Sequence, residues 1–147
     1  TAQFRLLSLQ YGVIALIIVL ALKASLLIDA GPKAAPMLIV AHCVSRFCAV
    51  LVAGLAPYAR EESSKFAIPK LSTDVIVVAA LWALGAMVLA IFFLGLIPTI
   101  VASLFALVIT FWIRARLMAR IGGYTGDTLG AVQQLSELCF YLGISIL

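Results

Sequence analysis

Residues 75–96 read VIVVAALWALGAMVLAIFFLGL, a stretch without a single charged side chain. A helix needs about 20 apolar residues to cross the hydrocarbon core of a bilayer, and this stretch supplies them. The rest of the chain agrees, since 65% of its 147 residues are hydrophobic, 11% are charged and the mean hydropathy is +1.24. A soluble domain of this size cannot bury so much apolar surface, so the sequence predicts an all-α, polytopic transmembrane helical bundle.

Apolar segments divide the chain into about five predicted membrane spans. They cover residues 11–28, 34–57, 75–96, 98–113 and 129–147. The fourth can continue to residue 118, and the fifth is the weakest because its first half contains several polar side chains. Gly and Pro residues separate the segments, as is typical of helix ends. No repeat or low-complexity linker interrupts the chain, so residues 1–147 are predicted to form a single membrane domain.

The loop charges predict how the spans are oriented. With five spans, the side that holds the N-terminus carries seven positive residues and the other side carries only Lys33. The seven are Arg5, Arg60, Lys65, Lys70, Arg114, Arg116 and Arg120. Positive residues collect in cytoplasmic loops, so loops 58–74 and 114–128 are predicted to be cytoplasmic. This rule also accounts for the net charge of +4, and without a basic run interleaved with aromatics we expect no nucleic-acid partner.

The polar side chains inside the first two predicted spans include Lys23, His42, Ser45 and Arg46. Lys23 is expected to extend its amine toward an interface. His42, Ser45 and Arg46 are spaced by three and four residues, which predicts a shared helix face. An arginine deep in a span is expected to face the bundle interior or a wet cavity. The group is therefore either functional or a structural hydrogen-bonding cluster.

Glycines crowd the loop before the fifth segment, where residues 121–131 read IGGYTGDTLGA. Glycine lets a backbone approach a ligand closely, and a helix start can bind phosphate. Asp127 is suited either to contact a hard cation such as Mg²⁺ or to cap the helix. Glu137 follows ten residues later, roughly on the same helix face but about 15 Å deeper.

The stretch GGYTGDTLGA at 122–131, followed by Glu137, resembles the C-terminal signature of cobalamin 5′-phosphate synthases. These enzymes are also called adenosylcobinamide-GDP ribazoletransferases. Val44-Ser45-Arg46 resembles the Ser-Arg helix of the family, and residues 58–62, YAREE, resemble its following cytoplasmic loop. Tyr11-Gly12 resembles the start of its mid-chain helix, so the resemblance begins at Tyr11.

The resemblance implies a transferase of the last assembly stage of vitamin B12. Such enzymes join adenosylcobinamide-GDP to α-ribazole or its 5′-phosphate, release GMP, depend on Mg²⁺ and lie in the bacterial inner membrane, where other cobalamin-assembly enzymes are expected partners. Asp127 and Arg46 are then the expected catalytic residues, with Asp127 also contacting the metal. The expected substrate-binding residues are Ser45, Arg60, Gly122, Gly123, Thr125, Gly126 and Gly130.

One feature of the family is missing from this sequence. The Asp-rich motif Asp-Gly-x-Ala-Asp-x-x-Asp-Gly does not occur, because the aspartates are only Asp29, Asp74 and Asp127. We therefore expect the chain to be the C-terminal part of a longer enzyme and to be inactive alone. Two alternatives remain: a small-solute membrane transporter with His42 and Arg46 along a polar path, or a non-catalytic membrane subunit.

Overall fold

A computed structural model describes residues 2–59 and 71–147, with side chains from Gln10 onward. Apart from one isolated β-bridge, the regular structure in these ranges is helical, which confirms the all-α prediction. The five α-helices coincide with the five apolar segments to within a few residues, except that α1 and α4 are longer. They are α1 Ala2–Ala30, α2 Ala34–Leu55, α3 Thr73–Leu94, α4 Leu96–Ile121 and α5 Gly126–Ser145.

Three helical stretches of the described residues are long and apolar enough to cross a membrane: Gln10–Leu55, Thr73–Leu94 and Leu96–Ile121. The first contains most of α1 together with α2. Its 46 residues would measure about 69 Å as one straight helix, more than twice the hydrocarbon thickness. Helix α5 is not among these stretches, so the prediction of about five spans is not confirmed.

A short turn folds α1 back toward the bundle. Residues Gly31–Lys33 form one turn of 3₁₀-helix, and Gly31 has a left-handed φ of +54° that interrupts the helical path. Lys23, on the last part of α1, contacts Glu137 midway along α5, while the end of α2 lies beside the start of α5. Both α1 and α2 therefore run from the turn toward the same end of the bundle.

Helix α5 is well buried in the bundle, although it is the least apolar of the five. It packs against α1, α2 and α4, and Val132, Phe140 and Tyr141 on it are fully buried. The most apolar helix, α3, exposes most of its large side chains. Lipid solvates apolar side chains as well as a protein core does, so high hydropathy does not drive a helix to the centre.

Small residues line the crossing of α4 and α5. Gly143 of α5 lies so close to Ala102 of α4 that an added Cβ would overlap the Ala102 backbone. The hydroxyls of Thr99, Ser103 and Thr110 on α4 donate to carbonyls one turn back at 2.6–2.7 Å, which satisfies them within their own helix. Close helix approach through small side chains is the usual mode of packing in membranes.

Two sequence-based boundaries need correction. Helix α4 continues to Ile121 and α5 begins at Gly126, so the predicted loop 114–128 consists only of residues 122–125. Arg114, Arg116 and Arg120 thus lie on the last turns of α4, where cations interact favourably with the helix dipole. That residues 1–147 form one domain of a longer enzyme stays a prediction.

Candidate functional site

The glycine-rich loop lies against the segment that leaves α2. The Tyr124 N–H donates to the Pro57 carbonyl and the Ala59 N–H donates to the Tyr124 carbonyl, both at 2.9 Å. The rings of Tyr58 and Tyr124 pack edge to face, with centroids 5.4 Å apart. Both segments had been predicted on the same side of the membrane, and the structure joins them at one end of the bundle.

Two of the predicted loop glycines have structural roles. Gly122 ends α4 with a left-handed φ of +70°, and its N–H donates to the Met118 carbonyl at 3.2 Å. This conformation is costly for other residues. Gly123 is buried against the preceding loop, where a Cβ would overlap the Pro57 carbonyl oxygen. Neither glycine needs a ligand to explain its presence.

Thr125 is the N-cap of α5. Its hydroxyl accepts the Thr128 N–H at 3.4 Å, and the Thr128 hydroxyl accepts the Thr125 N–H at 2.8 Å, which forms a capping box. The capping alternative for Asp127 is therefore wrong. Asp127 lies in the first turn with its side chain exposed, and its carboxylate is left available to an external group.

Gly126 and Gly130 contrast with the two structural glycines. Both are exposed on the first turns of α5, and a Cβ at either position would meet no atom within 4 Å. Packing does not require glycine at these positions. Together with Asp127 they form an open surface at the start of α5, where a ligand can approach the backbone closely.

Arg60 lies outside the described residues, so its predicted role is not addressed by the structure. A second arginine at this end of the bundle is visible: the Arg114 Nη2 donates to the Leu55 carbonyl at 3.0 Å. This bond satisfies a terminal carbonyl of α2 and ties that helix end to α4. Arg114 therefore supports the loop segment that begins after Leu55.

The predicted cluster on α2 divides between two faces. Arg46 and His42 are exposed, and the Arg46 Nε donates to the His42 Nε2 at 2.9 Å. Ser45 is fully buried, and its hydroxyl donates to the His42 carbonyl at 3.0 Å. Ser45 and Arg46 point about 100° apart because they are successive residues of a helix. The predicted shared face is wrong for Ser45.

The sequence had predicted that Arg46 faces the bundle interior or a wet cavity. In the structure, Arg46 does not face the interior of the described bundle. It lies on the outer surface of α2, nine residues and about 14 Å from Leu55, so it is not beside the glycine-rich loop. The described helices do not enclose His42 and Arg46 in a polar path. The structural basis for the transporter alternative is therefore absent from the residues that the structure describes.

A buried polar network joins α1 and α5, and it had not been predicted from the sequence. The Lys23 Nζ lies 3.1 Å from Glu137 Oε2 and donates to Gln134 Oε1 at 2.7 Å. The Tyr141 hydroxyl donates to Glu137 Oε1 at 2.7 Å. Lys23 is only 8% exposed, so the prediction that it extends toward an interface is wrong.

The sequence contained a signal for this pair. Lys23 and Glu137 have opposite charges, both lie inside apolar segments, and they precede the ends of α1 and α5 by seven and eight residues. Two helices that run toward the same side then place them at a similar depth. Intramembrane charges tend to pair with one another, which makes the combination of sign and depth informative.

No three His, Cys, Asp or Glu side chains come together within ranges 2–59 and 71–147 to hold a metal ion. The donor chemistry of the open surface still suits one cation. Mg²⁺ commonly binds through one or two carboxylates while substrate phosphates and waters complete its coordination. Asp127 can supply one such carboxylate.

The fold and the joined loops define a polytopic, all-helical membrane protein with a polar surface at one end of its bundle. Sequence comparison gives the particular family. The chain belongs to the cobalamin-5-phosphate synthase family, whose sequence model matches residues 10–145.

Three relatives illustrate the similarity, and each is named adenosylcobinamide-GDP ribazoletransferase. The protein of Leptothrix cholodnii is 40% identical over 91% of this chain and 54% of its own length. The protein of Shewanella pealeana is 34% identical over 94% of this chain and 54% of its own. For a Polaromonas species the identity is 36%, over 74% of this chain and 40% of the relative. The chain spans about half the length of these relatives, and no solved structure matches it.

Proposed function

We propose that this chain forms part of an adenosylcobinamide-GDP ribazoletransferase. The reaction joins adenosylcobinamide-GDP to α-ribazole or its 5′-phosphate, gives adenosylcobalamin or its phosphate, and releases GMP. The observation that carries the proposal is the open surface of Gly126, Asp127 and Gly130 beside the joined loops, in a chain that belongs to the family. In this proposal the hydroxyl oxygen of ribazole bonds to the phosphorus on the cobinamide side and loses its proton to water, and the bond from that phosphorus to the GMP oxygen breaks.

The residues at the loop have different parts in this proposal. Gly122, Gly123 and Thr125 shape the loop and start α5, and so hold Asp127 in place. Gly126 and Gly130 let the substrate approach the helix start, where free backbone N–H groups favour phosphate.

The two predicted arginines enter the proposal from outside the loop. Arg46 is exposed, so its guanidinium is available to a phosphate oxygen that reaches the α2 surface. Arg60 is proposed for the same kind of contact. Ser45 is buried, so we assign it to packing and no longer to substrate.

Mg²⁺ is the cofactor of this proposal. When bound, it neutralises charge on the diphosphate and on the departing GMP. Asp127 would hold it through one carboxylate, and the remaining protein ligands are proposed to lie outside this chain. Asp127 would hold the cation near the start of α5, where the diphosphate is expected to lie.

The proposed location is the bacterial inner membrane, with residues 58–74 and 114–128, which include the joined loops, on the cytoplasmic side. The positive residues at this end of the bundle support that orientation. The charged substrates would then meet the site in water. Other cobalamin-assembly enzymes are proposed partners at the same membrane.

A hybrid enzyme tests the function. In it, this chain replaces the region that it matches in the Leptothrix cholodnii relative, and the hybrid is purified into proteoliposomes with both substrates and Mg²⁺. We expect a cobalamin product and stoichiometric GMP by chromatography and mass spectrometry. The chain alone should form none, because it lacks the Asp-rich motif. A folded hybrid without turnover would refute the proposal. Turnover by the chain alone would refute the prediction that this chain is inactive by itself.

A further inference from the structure

One stripe of α5 passes from exposed to buried along the helix. At 100° per residue, its five positions fall within about 80° of one another. Two are exposed, one is half-buried and two are buried, in the order Asp127, Gly130, Gln134, Glu137 and Tyr141. The stripe begins at the proposed site and ends at the buried network.

Helix α1 changes in the same way. Leu16, Ile17 and Ile18 point in three directions because they are consecutive, yet all are more than half exposed. From Lys23 onward the helix is attached, since Lys23 is buried and Leu26 and Leu27 pack against the core. Among the side chains of α1 that the structure describes, from Gln10 onward, those before Val19 are exposed, and burial begins with the half-buried Val19 and the buried Lys23.

Helices α1 and α5 thus separate on the side of the network that lies toward the glycine-rich loop. Lys23 meets Glu137 and Gln134, but no atom lies within 4 Å of a Cβ built at Gly130, one turn closer to the loop than Gln134. We call the space between the two helices on this side of the network the cleft: it starts at the Lys23–Glu137 pair and extends toward the first turn of α5, which carries Asp127.

Lys23 holds α5 at two positions on one face. Its amine contacts Glu137 at 3.1 Å and Gln134 at 2.7 Å, and Tyr141 braces the Glu137 carboxylate from the other side. Sliding α1 by one helical turn, about 5.4 Å, would break both contacts. Either partner would then remain as an unpaired charge in apolar surroundings, which is strongly unfavourable.

We propose that Lys23 and Glu137 are positioning residues that anchor α1 to α5 in one register and hold open the cleft beside Asp127. The anchor stands on the described contacts alone. Its purpose, access of the substrate to Asp127, rests on the proposed function. The experiment therefore measures the anchor and its purpose separately.

The anchor is tested in the full 147-residue chain in lipid nanodiscs, with Cys43, Cys48 and Cys139 replaced by alanine. Spin labels are placed at the exposed positions Leu16 and Ala131, and pulsed electron paramagnetic resonance gives the distance distribution between α1 and α5.

Three variants are compared. Lys23→Met with Glu137→Met should fold, since apolar replacement of a buried pair is tolerated, yet broaden the distribution about twofold as α1 samples more positions. The reversed pair, Lys23→Glu with Glu137→Lys, should restore the native distance. Lys33→Gln removes an exposed lysine and serves as the matched control, with no expected change.

A folded Met pair that keeps the narrow native distribution would overturn the proposal, because apolar packing would then hold α1. If the Met pair does not fold, the distance distribution of the reversed pair tests the proposal instead. A reversed pair that fails to restore the native distance also overturns the assignment to a charge pair.

The purpose of the cleft is tested in the hybrid enzyme. The Met pair should raise KM for adenosylcobinamide-GDP about tenfold while kcat changes little, because access is altered and the reacting groups are not. Unchanged kinetics would refute this purpose. An inactive unmodified hybrid would instead count against the proposed function, and the spin-label distances would still decide the anchor.

Discussion

At Gly123, a hydrogen atom is all that fits between the α-carbon and the Pro57 carbonyl, whereas three residues later Gly126 faces open space. The two glycines belong to the same short motif and differ only in surroundings. The first brings two loops together and the second leaves a surface uncovered. Substitution at the two positions should therefore act on different properties.

Gly123→Ala should lower stability, because its methyl group must displace Pro57 and weaken the two backbone bonds of Tyr124. Overpacking of this kind costs about 1–3 kcal/mol. Gly126→Ala is the matched control, and alanine within a helix should leave the melting temperature unchanged or slightly raised. Thermal unfolding in detergent measures both effects. Equal melting temperatures for the two variants would contradict the assigned packing.

The same Gly126→Ala variant should lose turnover in the hybrid enzyme if substrate approaches the helix start. A methyl group there leaves the fold intact and occupies the space that the ligand would use. We expect kcat/KM to fall about tenfold or more, the scale on which small displacements of a substrate act. Full activity would show that ligand does not come close to Gly126.

Asp127→Asn separates charge from local structure. Thr125 already caps α5, so the substitution should leave the melting temperature nearly unchanged. A metal or substrate contact predicts a loss of about 10²-fold or more in kcat for the hybrid enzyme, partly recovered by added Mg²⁺. If Asp127→Asn stays active at low Mg²⁺, its catalytic assignment must be abandoned.

Among the helices, the least apolar one joins three of the other four. Helix α5 contacts α1, α2 and α4 through buried side chains, and its crossing with α4 depends on Gly143. Polar residues that weaken α5 as an isolated span are satisfied at these contacts, since Glu137 and Gln134 bind Lys23. A helix of this kind can be stable when it is packed inside a bundle.

The α4–α5 crossing gives a prediction at the level of helices. Gly143→Ala places a methyl group against the Ala102 backbone and should destabilise the bundle by about 1–3 kcal/mol. Gly85→Ala on α3 is the control, because a Cβ there meets nothing within 4 Å. Thermal unfolding in detergent compares the two. A Gly143→Ala protein as stable as the control would mean that α4 and α5 do not cross closely.

For the molecule as a whole, the two joined loops lie at one end of the bundle and the Gly31–Lys33 turn lies at the other. Helix α2 separates them by 22 residues, about 33 Å, which matches a bilayer. The Lys and Arg bias then predicts which end faces the cytoplasm.

Cysteine labelling of intact cells tests this orientation. In a background without Cys43, Cys48 and Cys139, an impermeant thiol reagent should label Pro32→Cys from outside and should label Lys65→Cys only after the membrane is opened. The paired positions control for one another. Labelling of position 65 alone from outside would reverse the proposed topology.

The sequence by itself determined the helices and the class of protein. Apolar length and Gly-Pro breaks are local properties, so the five helical segments followed from them. The GGYTGDTLGA motif was enough to indicate the family. The predicted helix ends were less accurate, because α4 continues through Arg114 to Ile121 although its last turns are basic.

Only the tertiary structure decided which helix faces are buried, which charges pair and which glycines face open space. Hydropathy does not predict which helices are buried when lipid surrounds the bundle, so the burial of the polar α5 could not be inferred from composition. Lys23 and Glu137 lie 114 residues apart, and their pairing depends on the turn that brings α1 back beside α5. Gly123 and Gly126 differ through contacts with a distant loop, which no local pattern encodes.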